Sequence, residues 1–194
     1  MTKPRTLILL AGSLMAALFI WPLWKITLLA PQYPDGVHMH IYIDKIGGAT
    51  KGTLQNVNIL NHYIGMKAIT PESIPELKYM PPIVILFMAL ALFVAFIDKK
   101  WMYWFWIILL SITLMIGLYD FYLWEYDYGH SLDPKAPMKF EGESFQPPLI
   151  GRKEIINFTA ISMPHIGGCF LIISFLLGSF ATYIKSKSST IILS

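Results

Sequence analysis

Hydrophobic residues in this chain are gathered into four long blocks, at 6–30, 82–97, 101–124 and 159–184, separated by more polar segments. A bilayer core is about 30 Å thick, and a helix needs about 20 mostly apolar residues to cross it. The pattern therefore predicts an all-α membrane protein with four transmembrane helices. The predicted segments are transmembrane helices at 1–30, 80–97, 101–124 and 159–184, exported loops at 31–79 and 125–158, a cytoplasmic turn at 98–100 and a cytoplasmic tail at 185–194.

The distribution of Lys and Arg predicts the orientation, because cytoplasmic loops carry an excess of these residues. With the N-terminus inside, the cytoplasmic segments hold six basic residues against the single acid Asp98, whereas the exported segments hold nine basic residues and eleven acids. Both termini are therefore predicted to be cytoplasmic. The cytoplasmic flanks account for the net charge of +3, so no nucleic-acid partner is expected.

The first exported loop carries two patterns that predict regular structure in a small mixed cap. Hydrophobic and polar residues alternate over 37–44, which is typical of a half-buried strand and puts His38 and His40 together on its polar face. Apolar residues then recur at helical spacing over 54–64, and Gly65 is expected to end that helix. If this helix forms, His62 and Met66, four residues apart, are expected to project from the same side.

The second exported loop contains many Pro and Gly residues and little periodicity, so it is predicted to be an ordered loop packed over the helix ends. The helix that precedes it carries Asp120, Trp124 and Asp127 on one stripe. A carboxylate at Asp120, close to the bilayer, is costly and needs a partner or a role. Pro164 suits the first turn of the last helix and would place His165 near the outer membrane surface.

All five histidines lie in or next to the exported segments. Imidazole and thioether groups together favour copper, especially Cu(I), over hard cations. The sequence thus predicts a copper site on the exported face. Its expected ligands are His38, His40, His62 and Met66, with His130, Asp127 and His165 as alternative or supporting ligands. A simpler interpretation is that these side chains are solvated or only hydrogen-bonded.

Conventional catalysis has no visible motif in this chain. The sequence contains no CxxCH, HExxH, P-loop or GxSxG pattern, and each of these arranges a particular chemistry at fixed spacing. The lone cysteine, Cys169, cannot form a disulfide within the chain. We therefore expect a binding or accessory protein rather than an enzyme.

Four short strings give a resemblance to a known family: residues 61–66 (NHYIGM), 126–134 (YDYGHSLDP), 146–151 (QPPLIG) and 163–168 (MPHIGG). They resemble the NosB-like membrane proteins of nitrous-oxide-reductase gene clusters. The resemblance implies a multi-pass protein of the bacterial inner membrane that helps to mature an exported copper enzyme, or supplies it with electrons, from the periplasmic face. It implies no ligand set. Two alternatives remain, namely an electron-transfer subunit with haem or quinol and a structural subunit of a larger membrane complex.

Overall fold

The computed structural model describes residues 2–137, 144–156 and 158–191. Along the chain, three strands follow the first helices, and two more strands precede the last helix. The helices are α1 (Lys3–Leu14), α2 (Thr53–Ile64), α3 (Glu76–Ile97), α4 (Lys100–His130) and α5 (Ile166–Ile191), with 3-10 helices at Met15–Phe19 and Pro71–Ser73. The strands are β1 (Trp24–Ala30), β2 (Tyr33–Ile41), β3 (Ile46–Gly48), β4 (Gly151–Ile155) and β5 (Phe158–Pro164).

The prediction of an all-α fold with four transmembrane helices is wrong. Within the described residues, three helices are long and apolar enough to cross a membrane: Glu76–Ile97, Lys100–His130 and Ile166–Ser188. The strands form one antiparallel sheet in the order β3-β2-β1-β5-β4. The protein therefore combines a helical bundle with a five-stranded sheet.

Two of the four apolar blocks are each divided between a helix and a strand. In the first block, Pro22 lacks an amide hydrogen and disfavours helical geometry at Trp21, so the helical part ends before it. The chain continues as β1, while α1 with its 12 residues is only about 18 Å long. The last block likewise begins as β5, and α5 starts after Pro164. An apolar run alone does not distinguish a buried strand from a helix.

The sheet has one apolar face, which packs beneath α2 and the C-terminal end of α4. Ile26 on β1 is in register with Met39 on β2, and both belong to a buried cluster with Val57 of α2 and Tyr128 of α4. The alternation predicted over 37–44 holds as far as Ile41, where β2 ends: Val37 and Met39 are buried, whereas His38 and His40 are only partly so. The sheet is not built from the two predicted loops alone, because β1 and most of β5 come from segments that were predicted to be transmembrane helices.

The bundle holds α1 closely against α3 and α5. A Cβ on Gly12 would lie 2.6 Å from the Cβ of Ala91, so only glycine permits this approach of α1 to α3. The hydroxyl of Ser174 on α5 donates to the carbonyl of Ala11 at 2.6 Å. Trp106 of α4 is fully buried, and its indole N–H donates to the carbonyl of Phe87 at 3.1 Å. Small residues and buried hydrogen bonds of this kind are typical of packed membrane helices.

One end of the bundle is closed by a charge cluster on Asp98, between α3 and α4. Its Oδ1 accepts hydrogen bonds from Lys185 and Tyr103, each 2.8 Å long. Nε of Arg5 lies 3.0 Å from Oδ2. Burial alone would raise the pKa of Asp98, but the Lys185 and Tyr103 hydrogen bonds and the charges of Lys185 and Arg5 hold it below its ordinary value. The cluster ties the starts of α1 and α4 to the far part of α5, and the sheet lies at the opposite end.

Candidate functional site

The second face of the sheet carries the polar residues that the sequence singled out. Lys25 on β1 is in register with His40 on β2, and Thr27 with His38. Since side chains alternate between the two faces of a strand, these four residues share the face opposite Ile26 and Met39. On β5, Met163 is in register with Lys25 and continues the row that begins at His40. We refer to this surface as the histidine face.

His40 and His165 come together at the edge of the histidine face. Their ring centroids are 4.9 Å apart, although 125 residues of sequence separate them. The amide of His165 donates to the carbonyl of Leu23, and that of Gly167 donates to the carbonyl of Pro22. A Cβ on Gly167 would lie only 2.6 Å from the carbonyl oxygen of Trp21. The glycine therefore lets the first turn of α5 approach the connection to β1, which brings His165 beside β2.

The surroundings of this pair favour neutral imidazoles. Burial lowers the pKa of His40, and the nearby His165, Lys25 and His38 lower it further. Burial also lowers the pKa of His165, with a smaller contribution from Lys25. Nδ1 of His165 is buried and has no hydrogen-bond partner among the described residues. A neutral imidazole with a free nitrogen is the form that binds a metal.

The remaining strand histidine and the predicted α2 pair lie elsewhere. Nδ1 of His38 shares a hydrogen bond of 3.0 Å with the hydroxyl of Thr27. His62 is exposed on α2, where its ring lies 6.1 Å from that of Tyr63. Gly65 ends α2 in the left-handed conformation with φ 81°, as predicted. Because the helix stops there, Met66 turns into the apolar clusters instead of projecting beside His62.

The two predicted candidates near the end of α4 already have other partners. Asp127 accepts a hydrogen bond of 2.8 Å from Lys67 and one of 2.7 Å from Ser131. Nδ1 of His130 donates to the carbonyl of Tyr126 at 2.9 Å, and the two rings stack with centroids 4.0 Å apart. These contacts fix the last turn of α4 and the segment that follows it.

Among the described residues, no three His, Cys, Asp or Glu side chains cluster closely enough to hold a metal ion. The seven predicted ligands are thus dispersed, and the structure brings together only the His40 and His165 pair. Two residues with candidate roles were missed by sequence reasoning. Met163 lies on the histidine face, and Glu125 is fully buried beneath the opposite face of the sheet. The first could have been found from its place two residues before His165, whereas nothing in the sequence distinguishes Glu125 from the exposed acids around it.

Comparison with known proteins assigns neither a family nor a function to this chain. No protein-family model matches this chain, and no curated protein or solved structure shows significant similarity to it. The resemblance to NosB-like proteins therefore stays a prediction from the four short strings, and the functional argument depends on the geometry of the site.

Proposed function

We propose that this protein is a membrane-embedded copper-handling accessory protein, with His40 and His165 as its metal ligands. The observation that carries the proposal is the 4.9 Å separation of the two rings, together with the unpartnered Nδ1 of His165. A metal–imidazole bond is about 2 Å long, so two rings this close can bind one ion after small side-chain rotations. Met163 lies on the same face, across β1 from His40, and its thioether is the proposed third ligand.

Cu(I) is the proposed oxidation state. Thioether ligands select Cu(I), and imidazole binds copper in either state. Lys25 lies in the same row as His40 and lowers the pKa of both histidines, so its positive charge repels a bound cation. That repulsion is half as large for a monovalent ion as for a divalent one. The residues therefore suit a weakly held, transferable Cu(I) ion better than Cu(II) or Zn²⁺.

The proposed orientation puts the histidine face outside the cytoplasm of a bacterial cell. The end of the bundle that holds Asp98 also carries the excess of basic residues, at Lys3, Arg5, Lys99, Lys100, Lys185 and Lys187. Such an excess is characteristic of cytoplasmic segments. The histidine pair, at the other end, then faces the periplasm, where an exported copper enzyme such as a nitrous oxide reductase, or its maturation proteins, would be the partner.

The proposal is tested by titrating Cu(I) into detergent-purified protein in competition with a coloured chelator. Wild type is expected to bind one Cu(I) ion, and the His40→Ala/His165→Ala variant should lose at least tenfold in affinity, which corresponds to about 1.4 kcal/mol. The matched control is His62→Ala/His130→Ala, which removes the same number of imidazoles from positions outside the pair and should retain wild-type affinity.

Two results would contradict the proposal. Equal copper affinity in wild type and the His40→Ala/His165→Ala variant would remove the pair from any copper site. A haem absorption band in protein purified from its native membrane would favour the electron-transfer alternative. Reporter fusions test the orientation separately, with cytoplasmic signals expected after Lys99 and an exported signal expected within residues 45–51.

A further inference from the structure

A cavity of about 220 Å³ lies on the other side of the sheet from the histidine face. Its walls come from the apolar face of β1 and β2, from α2 and from the C-terminal end of α4. Most of the lining side chains are aliphatic or aromatic. Gln32 and Tyr63 line it and are exposed, so the cavity reaches the surface between β1 and α2. Phe145 closes another side, where its amide donates to the carbonyl of Gly129 at 3.0 Å.

Glu125 lines this cavity with its carboxyl group. Its side chain is 0% exposed, and neither carboxyl oxygen has a hydrogen-bond partner in the described parts of the chain. The indole N–H of Trp124, another lining residue, is buried and unpartnered as well. Asn61 also lines the cavity, but its amide donates to the carbonyl of Lys67 at 3.2 Å. Two polar groups in an apolar space are therefore left unsatisfied.

Unsatisfied buried polar groups destabilise a fold, and charged groups do so more than neutral ones. Nearly all buried polar groups in proteins are paired, and exceptions require an explanation. An isolated ionised carboxylate is far more expensive in an apolar space than a neutral carboxyl. A neutral carboxyl carries one O–H donor and keeps acceptor oxygens. The carboxyl of Glu125 can therefore donate a hydrogen bond to an uncharged oxygen or accept one from a hydroxyl.

The size of the cavity limits what it can hold. An apolar cavity of about 150 Å³ in another protein is large enough for benzene. The larger volume here leaves room for one six-membered ring with small substituents. Tyr63, Trp124, Tyr128, Phe145 and Phe158 all contribute to the wall, and aromatic side chains pack favourably against a flat ring.

We infer that this cavity binds a small lipophilic molecule whose aromatic or quinonoid ring carries an oxygen that hydrogen-bonds to Glu125. The oxygen is either a phenolic hydroxyl, which donates to the carboxyl, or a ring carbonyl, which accepts from it. Trp124 supplies a second donor at the same end of α4. The inference is independent of copper, since the cavity and the histidine pair lie on opposite faces of the sheet.

Binding is measured with p-cresol, duroquinone and toluene, using protein in nanodiscs and subtracting the uptake by empty nanodiscs. The first two probes carry a hydroxyl and a carbonyl, whereas toluene carries neither. Wild type is expected to bind at least one oxygenated probe tenfold or more tightly than toluene. In Glu125→Met, which keeps the length and removes the polar atoms, this preference should fall to twofold or less while toluene still binds.

Two controls keep the outcome decisive if Glu125→Met does not fold. Glu125→Gln keeps hydrogen-bonding capacity and should preserve part of the preference for oxygenated probes. Leu60→Trp fills the cavity from α2 and should abolish the binding of all three probes.

No preference in wild type would overturn the inference, because the carboxyl would then bind only water or nothing. An undiminished preference in Glu125→Met would assign the ring to a different site. A preference for p-cresol alone identifies a phenol, and a preference for duroquinone alone identifies a quinone.

Discussion

The two ends of the helical bundle differ in whether their polar side chains have partners. At the Asp98 end, the carboxylate has Lys185, Tyr103 and Arg5 within 3.0 Å, and the cluster joins three helices. Nε of Arg5 is buried there without a hydrogen bond of good geometry, but its charge is paired with Oδ2 of Asp98 at 3.0 Å. At the sheet end, Nδ1 of His165, the carboxyl of Glu125 and the indole N–H of Trp124 are buried and have no hydrogen-bond partner within the described residues. A satisfied cluster stabilises a fold, whereas an unsatisfied one marks a place where a ligand would be stabilising. On this difference we assign a structural role to the first end and propose ligand binding at the second.

The largest effect is expected from breaking the satisfied end. Asp98→Asn leaves Lys185 and Arg5 without their counterion and should destabilise the protein by roughly 2 to 3 kcal/mol, reduced from the value for a fully buried pair because Arg5 is partly exposed. Thermal unfolding in detergent measures this loss. Asp44→Asn, at an exposed position, is the control and should unfold like wild type. Equal stability of the two variants would show that the cluster is not structural.

The same carboxylate has a defined pH dependence. Because the pKa of folded Asp98 lies below its ordinary value of 3.8, the ionised group stabilises the folded state above that value. This stabilisation should be lost as the pH falls from about 3.8 through the folded-state pKa. In a comparison of unfolding at pH 7 and pH 3, the difference between wild type and Asp98→Asn should therefore shrink at the lower pH.

The second-largest effect should come from moving His165 away from His40. Gly167→Ala places a methyl group 2.6 Å from the carbonyl oxygen of Trp21 and 2.7 Å from that of Pro22, so the first turn of α5 must shift. We expect copper affinity to fall by about tenfold or more. Gly117→Ala is the matched control, since its Cβ would meet nothing within 4 Å. If Gly167→Ala bound copper like the control, close approach of α5 to the connection before β1 would not matter for the site.

A smaller gain is expected when the repulsive charge is removed. Lys25→Met should raise Cu(I) affinity by about fivefold or more, because two unit charges about 4 Å apart repel each other by about 1 kcal/mol even at the dielectric constant of bulk water. Lys51→Met removes the same charge at an exposed position in the turn between β3 and α2. Chelator competition measures both variants. A gain of equal size in Lys51→Met would show that net charge, and not the position of Lys25, limits binding.

The smallest effect concerns the titration of the histidine pair. The pKa values of His40 and His165 lie below the ordinary 6.5, so copper affinity should stay constant as the pH falls to 6.5 and decrease only below it. The same shift makes the metal-free protein less stable as the pH falls from 6.5, because the unfolded chain gains protons first. NMR titration of labelled histidines checks both pKa values, and values above 6.5 would contradict the proposed environment.

The sequence predicted the local patterns of this molecule better than its tertiary arrangement. Alternation over 37–44 located β2 and the face of His38 and His40, and Gly65 was correctly expected to end α2. The length of the first apolar block was misleading, because Pro22 divides it into a helix and β1. The pairing of β1 with both β2 and β5 could not be predicted from local patterns, because it depends on contacts between residues far apart in the sequence.

Sequence patterns were equally poor at predicting which residues meet at the candidate sites. Spacing along the chain favoured His38 with His40 and His62 with Met66, yet the structure pairs His40 with His165 across the sheet. The helical stripe on α4 also drew attention to Asp120, which is partly exposed, whereas the fully buried carboxyl is that of Glu125. Burial of Glu125 depends on the sheet and α2 closing over α4, which no pattern within α4 could reveal.

The central claim is that the pair formed by His40 and His165 binds copper, and X-ray absorption spectroscopy of the Cu(I)-loaded protein tests it most directly. The account predicts two imidazole nitrogens at about 2 Å from the metal, with a sulfur scatterer in addition if Met163 binds. In His165→Ala one imidazole should disappear from the spectrum, while His62→Ala should leave it unchanged. A wild-type spectrum without imidazole scattering, or one that is identical in His165→Ala, would contradict the account.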